Sequence, residues 1–163
     1  MRQILAAMAL VATSAVPAAA EMDIAAAKSC LIDAQTKRGD PSVCIDAAHA
    51  DCLAAPGDTP SVAALCFATA RDDWGTGIRA EMDRIKAEAP EDIATVTAID
   101  LKYDLILALT QCDRMEELAG IGGTPAAVIE REKARCMASA SGFAYARLLW
   151  RSATMPEQAP KEN

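Results

Sequence analysis

Aromatic side chains are scarce in this sequence: two tryptophans, two tyrosines and two phenylalanines make up 4% of 163 residues, and the one histidine is His49. With so few large rings, a core has to be closed by small side chains, and the abundant alanines suit helices packed at short range. No stretch sustains the alternation of apolar and polar residues that a half-buried strand needs, which leaves the α-helix as the building element. Catalytic signatures are missing as well. There is no GxSxG, HExxH or phosphate-cradling glycine loop, and His49 has no nucleophile motif beside it, so no catalytic residue is assigned and the chain is read as a non-enzyme. Without CxxCH there is no haem attachment, and no cofactor is expected. Basic residues are outnumbered, 16 against 23 acidic, for a net charge of −7. That balance argues against nucleic acid or an anionic membrane as partner and suits a cationic protein.

Met1 and Arg2 lead into an apolar run from Ile4 to Val16, too short to span a bilayer, and then Ala18-Ala19-Ala20. This is the pattern of a secretory signal peptide cleaved after Ala20. The first cysteine is Cys30, well behind the run, so no lipid or other membrane anchor is expected and the product is read as periplasmic or secreted. Of the charged residues only Arg2 is removed, leaving the processed chain at −8. Residues 21–153 are expected to form one helical domain and 154–163 a disordered tail.

The first helix is expected over Met22 to Arg38, with Gly39 free to take a left-handed capping conformation. Asp40-Pro41, Thr59-Pro60 and Thr124-Pro125 each read as an oxygen-bearing N-cap followed by proline at the first helical position. The second helix then runs from Pro41 to about Ala55 and stops at Pro56-Gly57-Asp58. From Pro60 an apolar stripe, Val62, Cys66, Ala70, Trp74, Ile78, Met82 and Ile85, marks a third helix that Gly75 and Gly77 are expected to bend or divide. A fourth begins at Glu91, and its apolar run Leu105 to Leu109 implies a helix enclosed on most sides at the centre of the bundle. The last covers about Pro125 to Ser152. The architecture expected is an all-α, four- to five-helix up-and-down bundle.

Six cysteines in an exported chain read as three disulfides, because the compartment is oxidising. In a continuous helix Cys44 and Cys52 stand about 12 Å apart along the axis, beyond disulfide reach. Antiparallel neighbours bring together residues equally far from their turn, which pairs Cys52 with Cys66, Cys112 with Cys136 and Cys30 with Cys44. The rival connectivity, Cys30 with Cys66 and Cys44 with Cys52, requires an irregular second helix. Cys44, His49, Cys52 and Cys66 also form a sulfur-nitrogen set of the kind zinc takes, but without a CxxC knuckle the disulfide reading is preferred, with no metal and His49 as a packing or surface residue.

The order Cys44-Ile45, Cys52, Cys66, Trp74 with Ile78, then Cys112, the Gly122-Gly123-Thr124 turn and Cys136-Met137 resembles the LprI-type lysozyme-inhibitor family of exported bacterial proteins. The resemblance covers about residues 30 to 150. Where that family has leucine-asparagine and a tyrosine after its tryptophan, this sequence has Ile78-Arg79 and Met82. Where the family has an arginine-aspartate pair before the cysteine, it has Ala108 and Leu109, with Tyr103 near the place of a second tryptophan. Polar signature positions have become apolar while the cysteine framework survives, so the resemblance implies the fold more strongly than the binding chemistry. It implies a binding protein: an inhibitor steered by its negative surface toward a cationic lysozyme, blocking the substrate cleft with an acidic side chain or an exposed loop. Asp72, Asp73, Trp74 and the turn residues Gly122, Gly123 and Thr124 are the candidate binding residues, against the plainer reading of a solvated helix face and turn geometry. The alternative is an envelope protein-protein interaction module on the same scaffold, which an exposed apolar patch around Leu105 to Leu109 favours.

Overall fold

A computed structural model describes residues 22–156. The expected signal peptide and most of the expected C-terminal tail lie outside these residues. Among those described, the chain forms six helices and no strand: α1 (Ile24–Thr36), α2 (Pro41–Ala48), α3 (Ala50–Leu53), α4 (Pro60–Glu88), α5 (Glu91–Ile121) and α6 (Ala126–Ser152). The disulfides are Cys30–Cys44, Cys52–Cys66 and Cys112–Cys136, with Cα separations of 5.7, 5.4 and 5.8 Å. The all-α fold and its three staples are therefore as expected.

The second helix is shorter than expected. It ends at Ala48, and His49 (φ −96°, ψ 8°) leaves helical geometry before α3 begins at Ala50. The break has a cause in the cross-links: Cys44 is tied back to α1 and Cys52 forward to α4, so the two halves of the segment are drawn to different helices. The helix stops differ in detail too. Arg38, not Gly39, takes the left-handed conformation (φ 53°), with its N–H on the Gln35 carbonyl and the Gly39 N–H on that of Ala34. That is a Schellman stop, with the costly position one residue earlier than the glycine. Asp40 caps α2 through the Ser42 N–H at 2.9 Å, whereas the Thr59 hydroxyl turns back to the Pro56 carbonyl and α6 is capped at Pro125 without help from Thr124.

The parallel pair α4 and α6 forms the centre. Moving along both in the same direction, Phe67 clusters with Ala138, Trp74 lies against Gly142, Tyr145 lies against Gly77, and Ser152 donates to Glu81. α4 runs unbroken through Gly75 and Gly77; Gly77 serves close approach, since a Cβ there would stand 3.2 Å from Tyr145 Cζ and 3.3 Å from Ile24 Cγ2. Gly142 does the same opposite Trp74 and Ile45, at 3.1 and 3.2 Å. α1 and α2 cover this pair, and Leu31, Ile45, Phe67, Trp74 and Tyr145 are its largest buried apolar groups. Each contributes roughly 1.5–3 kcal/mol by leaving water.

α5 returns antiparallel along α6, tied by Asp100–Arg151, Asp104–Arg147, Cys112–Cys136 and Glu116–Lys133. Here an expectation fails. α5 is not central: it buries only Ala94, Thr97 and Cys112, while Leu105 and Leu109 are half-buried and Ile106 and Leu107 face solvent. The apolar run from Leu105 to Leu109 belongs to an edge helix, because the parallel contact of α4 with α6 leaves α5 nothing to pack on but one side of α6 and the end of α4.

Candidate functional site

Among the described residues, most of the exposed large apolar side chains lie on α5. Val96, Ile99, Tyr103 and Ile106 follow one another at steps of three and four, the spacing of a coiled-coil seam, with Leu107 alongside. Tyr103 is 58% exposed, Val96 55% and Leu107 71%. Further along the helix Leu118 and Ile121 are exposed as well. Asp92 and Arg114, each eleven residues from Tyr103, lie on the same face three turns away to either side. Neither forms a salt bridge among the described residues, while Asp100 and Asp104 on the flank are neutralised by Arg151 and Arg147 of α6. A shallow groove of about 780 Å³ between the end of α4 and the first turns of α5 opens beside this seam, with Ala94, Ala98 and Ile99 on its α5 wall.

On the other side of the molecule a cleft of about 390 Å³ lies among α1, α2, α3 and α4. Its floor is alanine and the two disulfides Cys30–Cys44 and Cys52–Cys66; its rim carries Asp23, Asp51 and Asp73 and no lysine or arginine. Asp73 accepts the Met22 N–H at 3.1 Å and Asp23 accepts the Ala26 N–H at 2.9 Å, which fixes two of the three carboxylates. An apolar floor under an anionic rim suits the aliphatic stem and charged head of a lysine or arginine side chain.

The candidate residues named from sequence fall into three places. Asp73 lies on the cleft rim, and Asp72 is exposed and paired with Arg71 at 2.7 Å. Trp74 has no exposed surface and cannot touch a partner: its Nε1–H donates to His49 Nε2 at 2.9 Å inside the core. Gly122, Gly123 and Thr124 form the stop of α5, with Gly123 at φ 74°, its N–H on the Gly120 carbonyl and the Thr124 N–H on that of Ala119. Their geometry is that of a helix terminus. All six cysteines are in disulfides, so none is a thiolate for zinc.

Two polar nodes are buried in the fold: His49, which takes the packing place of the two expected for it, and Glu81, which went unrecognised in the sequence. His49 is packed edge-on against Phe67 and Trp74, and burial, with a smaller push from Arg135 and against an opposing pull from Asp46, holds its imidazole below the ordinary 6.5. The neutral ring is what the Trp74 bond needs, since an imidazolium has no acceptor nitrogen. Glu81 is 2% exposed and receives Lys28 at 2.9 Å, Ser152 at 2.7 Å and the Arg84 guanidinium at 2.5 Å. Burial pushes its carboxyl up, but the hydrogen bonds from Arg84, Ser152 and Lys28 together outweigh burial and hold it at about 2. Glu81 is thus a permanent anion joining α1, α4 and α6. No helix among the described residues is long and apolar enough to cross a membrane. In comparisons with known proteins, no family model matches the chain, and no curated protein or solved structure matches it.

Proposed function

We propose that the chain is an exported binding protein whose working surface is the outward face of α5, an interaction module of the cell envelope carried on a disulfide-stapled helical scaffold. The observation that carries this reading is the seam of Val96, Ile99, Tyr103, Ile106 and Leu107, exposed on a helix that packs on one side only. Uncovered apolar surface of this extent marks a contact surface, because leaving it in water forfeits stabilisation that a partner would recover. The chemistry that fits is an amphipathic helix with an apolar centre, a cation opposite Asp92 and an anion opposite Arg114. The leader pattern of residues 1–20 and the three disulfides support an oxidising compartment. The resemblance to the LprI-type framework supports a binding protein, and the family's polar pair is replaced by Ala108 and Leu109 next to this seam.

The test is a pair of substitutions, Ile99→Glu with Leu107→Glu. Both side chains already face water, so the fold should keep its stability to within about 0.5 kcal/mol. The native size of the protein in an envelope extract should fall to that of the free chain. Unchanged native size would refute the reading.

The acid-rimmed cleft favours a second reading, retained inhibition of a cationic lysozyme through a lysine or arginine docked beside Asp23, Asp51 and Asp73. Its test is lysis of a peptidoglycan suspension with the processed chain titrated in at low and moderate salt. Stoichiometric inhibition that weakens with salt and is lost in Asp51→Lys supports it; no effect at large molar excess removes it.

A further inference from the structure

The seam on α5 is self-complementary, and we infer that the helix it takes is α5 of a second copy of this chain. The two helices lie antiparallel about a twofold axis through Tyr103, with Asp92 of each copy opposite Arg114 of the other. This rests on the α5 face being a docking surface and names its occupant.

The spacing carries the inference. Eleven residues separate Asp92 from Tyr103 and eleven separate Tyr103 from Arg114, which is three helical turns and about 16 Å on each side. A twofold axis at Tyr103 therefore brings the two charges together at both ends at once, with Tyr103 against its own copy at the centre, Ile99 facing Leu107 and Val96 facing Thr110 of the other copy, and Ile106 lying toward Asp100, which Arg151 already engages. An isologous contact needs this property, and most surfaces lack it. A parallel pairing in register would instead set Asp92 on Asp92 and Arg114 on Arg114. The nearby carboxylates do not oppose the antiparallel arrangement, because Asp100 and Asp104 are already engaged by α6 arginines, at 2.9 and 2.5 Å. No residue of α5 lines the acid-rimmed cleft, so pairing leaves one open cleft on each copy.

The experiment is sedimentation equilibrium of the processed, oxidised chain over a concentration series, with Asp92→Arg, Arg114→Asp and the double exchange. The chain should dimerise. Each single change sets like charges together at both ends and should weaken association about tenfold, and the double exchange should restore it to within about threefold. Tyr103→Cys should cross-link the dimer on oxidation, whereas Ala80→Cys, exposed on α4, should not. A chain that stays monomeric overturns the inference, as does a dimer indifferent to the single changes or one that the double exchange fails to restore. The α5 face itself is judged separately: a monomer that still forms a light-induced adduct from α5 to a different protein removes only the second copy, and a monomer without adducts removes both.

Discussion

Replacing Glu81 by glutamine keeps the shape of the side chain and removes the charge at the junction of α1, α4 and α6. Its carboxyl moves from an ordinary 4.5 to about 2 on folding. At about 1.4 kcal/mol per unit, that shift corresponds to about 3 kcal/mol of stability at neutral pH, a ceiling because Lys28 and Arg84 are each 39% exposed and regain water when the anion is lost. The folded value lies below the unfolded one, so the stabilisation is full above about pH 5 and is lost as pH falls toward 2. Urea unfolding of both proteins at a series of pH values gives the comparison directly. Glu81→Gln should cost about 2–3 kcal/mol at pH 7, and the gap should close steadily between about pH 5 and pH 2. The difference between the two proteins cancels every titration they share, His49 included. A cost under about 0.5 kcal/mol at pH 7, or one that does not change down to pH 3, would refute the reasoning.

Three further outcomes follow from the packing. Because His49 is held below 6.5 when folded, the unfolded chain takes up its proton first; stability should fall as pH drops below about 6.5, and His49→Gln should remove that slope between about pH 7 and 5 in urea titrations. Gly142→Ala places a methyl 3.1 Å from the Trp74 ring and 3.2 Å from Ile45, and should lower stability by about 1–3 kcal/mol by thermal unfolding, while Gly120→Ala, with nothing within 4 Å, should be near neutral. Removing Cys112–Cys136, whose cysteines are 24 residues apart, should cost about 3 kcal/mol, and hydrogen exchange should quicken in α5 before α4 and α6, since α5 buries only Ala94, Thr97 and Cys112 and its remaining ties to α6 are solvent-exposed ion pairs.

Much of the fold is legible in the sequence because its signals are local. Proline at first helical positions, the Pro56-Gly57 turn and the absence of alternation mark the helices, and equal distances from the turns pair the cysteines. What depends on which helix sits next to which is not local. An apolar run such as Leu105 to Leu109 reads the same whether a helix is enclosed or carries an uncovered face, and only the α4–α6 contact, permitted by Gly77 and Gly142, sends α5 to the edge. Val62, part of the apolar stripe read from periodicity, is exposed for a related reason: it lies in the first turn of α4. The partners of Glu81 and His49 are invisible for a different reason. A single glutamate in a charged helix has only Arg84 within local reach, and it and the lone histidine acquire their other partners only when Lys28, Ser152 and Trp74 are brought in from 25 to 71 residues away. The eleven-residue relation of Asp92, Tyr103 and Arg114 is present in the sequence, and it gains meaning once that face is known to be bare.

The most direct test of the α5 face as the working surface is a photo-reactive side chain at Leu107, compared with one at Ala80 on the exposed face of α4, in intact cells exporting the chain. A discrete adduct is expected from position 107 and none from position 80. Equal labelling at the two positions, or none at either, would contradict it.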